Sequence, residues 1–291
     1  MPASVLHAPV LDWYAENARD LPWRRPEASA WAVLVSEFML QQTSVSRVLP
    51  VWCSWMQTWP RASDLAAVTA GAAIRAWGSL GYPRRALRLH AAAAAIRDQH
   101  GGEVPGDYAA LRRLPGVGDY TAAAVASFAF GSGPAVLDTN VRRVLARALD
   151  AKQFPGASVT SPERVRATSL LPEDALTASR WSVAVMELGA LVCTARAPRC
   201  QVCPVASRCS WRLAGKPAHD GPARRRQPYA GTDRQCRGRL LAALRTAAGP
   251  VSRRALGAVW EQESQRERAL DTLVADGLVE RLQGDAFALP G

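Results

Sequence analysis

Apolar residues recur at helical spacing up to about residue 215, and few segments alternate as strands do. Leu11, Tyr14, Ala15 and Ala18 share one face of an opening helix that closes at Leu21-Pro22-Trp23. A second apolar helix is predicted over residues 30–40. Another begins at Ser63-Asp64, and the alanine-rich run 86–96 favours helix by propensity alone. Gly116 and Gly118 interrupt the pattern between Leu114 and Tyr120, which predicts a hairpin between two helices. Pro134 breaks the chain before a helix over 136–149, and residues 181–191 form the last strong one. The pattern predicts an all-α core.

Periodicity lapses over 213–235, where Gly, Pro and Ala surround the run Arg224-Arg225-Arg226. Helical spacing returns at 239–247, 253–260 and 267–276. Residues 278–289 then alternate like a hairpin turning at Gly284. Three helices followed by a two-stranded wing predict a small winged-helix-like module. The expected organisation is a core over 1–215, a basic linker over 216–229 and the module over 230–291.

Charge narrows the choice of partner. The 291 residues carry a formal net charge of +11, which favours a polyanion. Only two lysines occur, Lys152 and Lys216, so nearly all the positive charge is arginine. No apolar run is long enough to span a bilayer. Asp12, Glu16 and Asp20 are foreign to a signal peptide, so a cytoplasmic protein is expected, nucleoid-associated when on DNA. Thiols stay reduced in that compartment. Four of the six cysteines nevertheless fall between 193 and 209, which indicates a metal centre rather than disulfides.

Those four, Cys193, Cys200, Cys203 and Cys209, have the spacing C-x6-C-x2-C-x5-C. Thiolates suit zinc or an iron–sulfur cube. Zinc usually takes paired Cys-x-x-Cys knuckles, whereas only Cys200 and Cys203 form one here, so a 4Fe–4S cluster is the better fit. Arg196 and Arg199, between the first two ligands, can reach phosphates or can simply be solvated. The Gly116-Val117-Gly118 turn offers backbone amides to an anion, although a plain interhelical turn has the same residues. Glu37 interrupts an apolar helix, where desolvation would raise its pKa and suit it to general-acid work. Asp138 precedes the helix of 141–149 as either a functional carboxylate or an N-cap. Gln41, Gln42 and Thr43 offer compact hydrogen-bonding groups, and Tyr82 between Gly81 and Pro83 is a rigid aromatic that could wedge into a base stack.

Taken in order over residues 8–215, these motifs resemble the helix-hairpin-helix base-excision glycosylases with an iron–sulfur loop, specifically the MutY-type adenine DNA glycosylases. The segment from Ser36 to Thr43 looks like that family's signature, and the endonuclease III branch lacks its acid. Residues 114–121 resemble the hairpin, 136–147 the catalytic-aspartate segment and 193–209 the cluster loop. The resemblance implies a six-helix barrel over about 28–135, with 1–27 and 136–215 forming the cluster domain. It implies that double-stranded DNA containing mispaired adenine binds to a monomer, and that the target nucleotide is flipped out of the stack. Glu37 would then protonate adenine at N7, and Asp138 would stabilise the sugar cation or form a transient adduct. Tyr120 and Asn140 would line the pocket, Arg24 would approach the base, and Gln42 and Tyr82 would probe beside the opposite base. Lyase relatives carry a lysine where this chain has Tyr120, so hydrolysis by water is expected.

The chain also departs from the family. Its usual C-terminal domain, related to nucleotide-pyrophosphatase folds, helps recognise 8-oxoguanine, and residues 230–291 are too few and too helical for it. Two other readings stay open: a thymine glycosylase acting on T·G mismatches, and a non-catalytic DNA-binding iron–sulfur protein.

Overall fold

The computed structural model describes residues 4–219, 221 and 229–291, so the Arg224–Arg226 run lies outside the described residues. Helices account for most of the chain. In order they are α1 (Ser4–Asn17), α2 (Ala30–Leu40), α3 (Val45–Thr58), α4 (Ala62–Ala66), α5 (Ala70–Trp77) and α6 (Arg84–Gln99). Next come α7 (Tyr108–Arg113), α8 (Asp119–Phe130), α9 (Thr139–Asp150), α10 (Ser161–Ser169), α11 (Ala175–Leu191) and α12 (Ser210–Leu213). The C-terminal module holds α13 (Asp233–Thr246), β1 (Val251–Ser252), α14 (Arg253–Gly257), α15 (Glu263–Ala275), β2 (Glu280–Leu282) and β3 (Ala286–Ala288). Among the described residues no helix is long and apolar enough to cross a membrane.

Two compact units emerge. The first comprises Met1–Val33, Gly106–Arg112 and Gly118–Ala223; the second comprises Leu34–Pro105, Arg113–Val117 and Arg224–Gly291. In the first unit α11 packs against both α1 and α9. Its core joins Leu6 and Val10 of α1, Val141, Val144 and Leu145 of α9, and Trp181, Val185 and Leu188 of α11. The helix expected from residue 136 starts at Thr139, because Val136 and Leu137 are buried in extended chain and Asp138 caps the helix.

The second unit is built on α6. Ala86, Leu89, Ala92, Ala93 and Ile96 are buried there, and small alanines let α4 and α5 approach closely. The edge-to-face rings of Trp55 and Trp77 join α3 to α5, with centroids 5.6 Å apart. The module belongs to this same unit. Its wing has three antiparallel strands rather than two, in the order β1-β3-β2, with Val251 and Arg281 flanking Phe287. Gly284 takes the positive φ that the β2–β3 turn requires.

Candidate active site

Asp138 sits where extended chain enters α9. Its Oδ1 accepts the backbone N–H of Asn140 at 2.8 Å and of Val141 at 2.6 Å, while Oδ2 accepts Asn140 Nδ2 at 2.7 Å. The geometry shows the N-cap reading: the carboxylate caps α9 and is fixed in direction. Burial raises its pKa above the usual carboxylate range, against the pull of those three bonds. Asn140 Oδ1 in turn accepts Arg143 Nη2 at 2.8 Å, and Arg143 also donates to the carbonyls of Gly189 at 2.6 Å and Cys193 at 2.7 Å. One chain of hydrogen bonds thus runs from Asp138 to the cysteine loop. Gly189 makes the helix crossing possible, since a Cβ there would lie 2.7 Å from Asn140 Cβ and 2.9 Å from its carbonyl oxygen. Tyr120 packs on Val136 and Ala124, beside the segment that delivers Asp138.

Sequence reading missed Glu187. This α11 residue is fully buried and accepts Arg19 Nε at 2.7 Å, Arg19 Nη2 at 2.7 Å and Arg24 Nη2 at 2.9 Å. Burial alone would raise its pKa, but the two guanidiniums outweigh that and bring it to about 2. Arg24 ends a short 3-10 turn begun by Pro22, and among the described residues its Nη1 is buried without a hydrogen-bond partner. A buried unpaired donor is costly in a folded protein.

The cysteines follow α11 directly. Cys193 leaves the helix end, Cys200 opens one 3-10 turn, Cys203 follows it, and Cys209 caps α12. All four line one cavity with Val192, Pro198, Ala206 and Trp211. Four thiols lining one small cavity are the donor set of an iron–sulfur cluster. Arg147 Nη1 donates to Cys193 Sγ at 3.3 Å, and its guanidinium lies 4.6 Å from the Trp211 ring centroid. That cation matches the negative charge of clustered thiolates. Arg196 is exposed, whereas Arg199 turns back to donate to the Leu191 carbonyl at 2.7 Å and so caps α11.

Glu37 belongs to the second unit. It is only 5% exposed on α2, among the fully buried Leu34, Val35, Phe38 and Met39. The helix ends in the turn Gln41-Gln42-Thr43, where Gln42 adopts a positive φ of 55°. Tyr82 adopts one of 45° and remains 48% exposed. Positive φ is uncommon for non-glycine residues, and these two lie on neighbouring loops. Arg85 ties these loops together. It donates to the carbonyls of Phe38 at 2.8 Å, Gln41 at 2.6 Å and Gly81 at 3.1 Å, and to Thr43 Oγ1 at 2.9 Å. In the hairpin, Gly116 has φ +76°, and a Cβ there would lie 2.6 Å from Arg88 Cβ. Val117 N–H donates to the Leu114 carbonyl at 3.1 Å, and Gly118 caps α8 with open space where its side chain would be.

Most of the chain is similar to known proteins. Residues 35–167 match the HhH-GPD superfamily base excision DNA repair proteins, and residues 193–209 match the iron-sulfur binding domain of endonuclease III. The adenine DNA glycosylase of Mycolicibacterium smegmatis is 53% identical over 289 residues, 99% of this chain and 97% of the relative. That of Mycobacterium tuberculosis is 51% identical over 291 residues, covering 100% and 95%. Human adenine DNA glycosylase is 41% identical over 211 residues, 70% of this chain and 38% of its own. Among solved structures, a thermostable thymine-DNA glycosylase superposes with a TM-score of 0.65 at 25% identity, over 73% of this chain and 97% of its own.

Proposed function

We propose that the chain, which belongs to the HhH-GPD superfamily of base-excision DNA repair proteins as an adenine DNA glycosylase, releases adenine mispaired with 8-oxoguanine or guanine. Burial of Glu37 on an apolar helix carries this reading. Glu37 protonates N7 of the flipped adenine, and the C1′–N9 bond breaks with its electron pair leaving on the base. The ionised Asp138 carboxylate stabilises the cation at C1′ until water adds and leaves an abasic site. Asn140 fixes the direction of that carboxylate.

Arg24 Nη1 has a donor to spare for the base, with Glu187 holding the guanidinium in place. Tyr120 lines the pocket. Gln41, Gln42 and Tyr82 act at the opposite base, where Arg85 fixes both loops. Backbone amides of Gly116 and Gly118, with Arg196 and the Arg199 donors not bound to the Leu191 carbonyl, take DNA phosphates, while Val117 N–H holds the turn itself. The four cysteines hold the 4Fe–4S cluster, which secures the loop carrying those arginines. The enzyme acts as a cytoplasmic, nucleoid-associated monomer. Neither Lys152 nor Lys216 lies in the hairpin or beside Asp138, so hydrolysis proceeds without a lysine Schiff base.

The test offers the holoprotein duplexes with adenine opposite 8-oxoguanine or guanine, thymine opposite guanine, and matched controls. Alkali then reveals abasic sites, with Glu37→Gln as the blank. Release of adenine opposite 8-oxoguanine, lost in the variant, is expected. Release only at T·G would assign the chain to the thymine reading, and no release from any duplex would assign it to the non-catalytic one. Efficient nicking of abasic DNA without alkali would overturn the hydrolytic step.

A further inference from the structure

The C-terminal module has no part in the chemistry above, yet it is fixed beside Tyr82. The Pro290 carbonyl accepts Gly71 N–H at 2.8 Å, and Arg75 of α5 donates to the carbonyls of Arg245 and Ala247. Asp276 receives Arg84 at 3.3 Å and Arg237 at 2.6 Å, which pins the module to the first residue of α6, two positions after Tyr82. The Arg234 guanidinium, in the first turn of α13, then lies 5.8 Å from the Tyr82 ring centroid and 5.6 Å from that of Tyr229. Both rings are about half exposed, at 48% and 53%. Among the described residues Arg234 is exposed and has no carboxylate partner.

Helix energetics do not account for that cation, because the positive end of the helix dipole disfavours it in a first turn. What holds it is the pair of aromatic faces. We propose that Arg234 and Tyr229 extend the Tyr82 surface onto the module, and that Arg234 takes a backbone phosphate of the DNA strand that Tyr82 enters. The net charge of +11 suits that occupant, and the surface is continuous with a residue already assigned to DNA. The inference rests on the reading of Tyr82 as a DNA-contacting wedge.

The experiment measures binding of the full-length holoprotein to a duplex with a tetrahydrofuran abasic analogue opposite 8-oxoguanine, by fluorescence anisotropy between 50 and 300 mM salt. One lost phosphate contact lowers the slope of log affinity against log salt by about 0.9. Arg234→Gln is expected to show that change and to bind about 5–10-fold more weakly at low salt, with its melting temperature unchanged. Arg234→Lys is expected to keep the slope. An unaltered slope in Arg234→Gln, with Tyr82→Ala weakened, would overturn the phosphate contact alone. If Tyr82→Ala binds like wild type, the wedge reading has failed and the inference falls with it.

Discussion

Asp138 caps a helix and, in the proposed mechanism, also faces a sugar cation, and the two roles separate under substitution. As an N-cap it needs an oxygen acceptor, which asparagine also supplies, but the new amide meets Asn140 Nδ2 donor to donor, so Asp138→Asn is expected to cost about 1–2 kcal/mol of stability. As the group facing a sugar cation it needs its charge, so the same variant is expected to lose about 10²–10³-fold in single-turnover base release. Urea unfolding beside that rate measurement separates the two roles. Glu187 has no such substitute. Its pKa of about 2 lies below the ordinary 4.5, so its ion pairs stabilise the fold fully above pH 4.5 and lose that effect as pH falls towards 2. The shift corresponds to on the order of 3 kcal/mol, and Glu187→Gln is expected to unfold at correspondingly lower urea at pH 7 while losing the part of its acid dependence between pH 4.5 and 2 that Glu187 contributes. The cysteine loop, the burial of Glu37 and the helix-capping place of Asp138 were legible in sequence because their neighbours are anomalous for their residue types. Glu187 was not, because its partners Arg19 and Arg24 lie more than 160 positions away, and an isolated acid within an α11 stretch carries no local mark.

The helices follow the same rule. Helix α2 begins and ends at the expected residues, because an apolar run broken only by Ser36 and Glu37 and bounded by polar turns leaves no other placement. Segments α3, α5 and α10 were not anticipated: α3 holds Pro50 within its span, α5 is only eight residues long, and α10 buries only Ala167. Two-residue β1 escaped for a related reason, since it exists only through its pairing with β3. Gly189 looked unremarkable in the sequence, yet it sets how closely α11 approaches the start of α9. Gly189→Ala would gain helix propensity within α11 but would force a methyl against Asn140. The clash is expected to win, costing about 1–3 kcal/mol of stability. It is also expected to displace Asp138, so base release should fall more steeply than stability does. An unchanged rate constant together with an unchanged urea midpoint would show that α9 yields without moving the carboxylate.

The second unit carries its C-terminal module as part of its packing, and this changes what a truncation can reveal. Removing residues 230–291 looks from sequence like a clean test of DNA recognition by an appended tail. In the fold, however, Phe287 and Leu289 are buried, the Pro290 carbonyl receives Gly71 N–H, and Arg75 relies on carbonyls of α13. Even a deletion of residues 286–291 removes the central strand of the wing along with those contacts. Burying two large apolar side chains contributes about 1.5–3 kcal/mol each. At roughly 2 °C per kcal/mol for a chain of this size, the shortened protein is expected to melt about 6–12 °C lower. Weaker DNA binding by such a truncation would therefore reflect a loosened scaffold as much as a lost contact. Scanning calorimetry of the holoprotein checks the expectation: a melting temperature unchanged by the deletion would mean that the module is dispensable for stability. The relatives that match this chain over nearly its whole length match the module as well, and integration into the second unit gives a physical reason for one continuous protein rather than a catalytic core with a detachable tail.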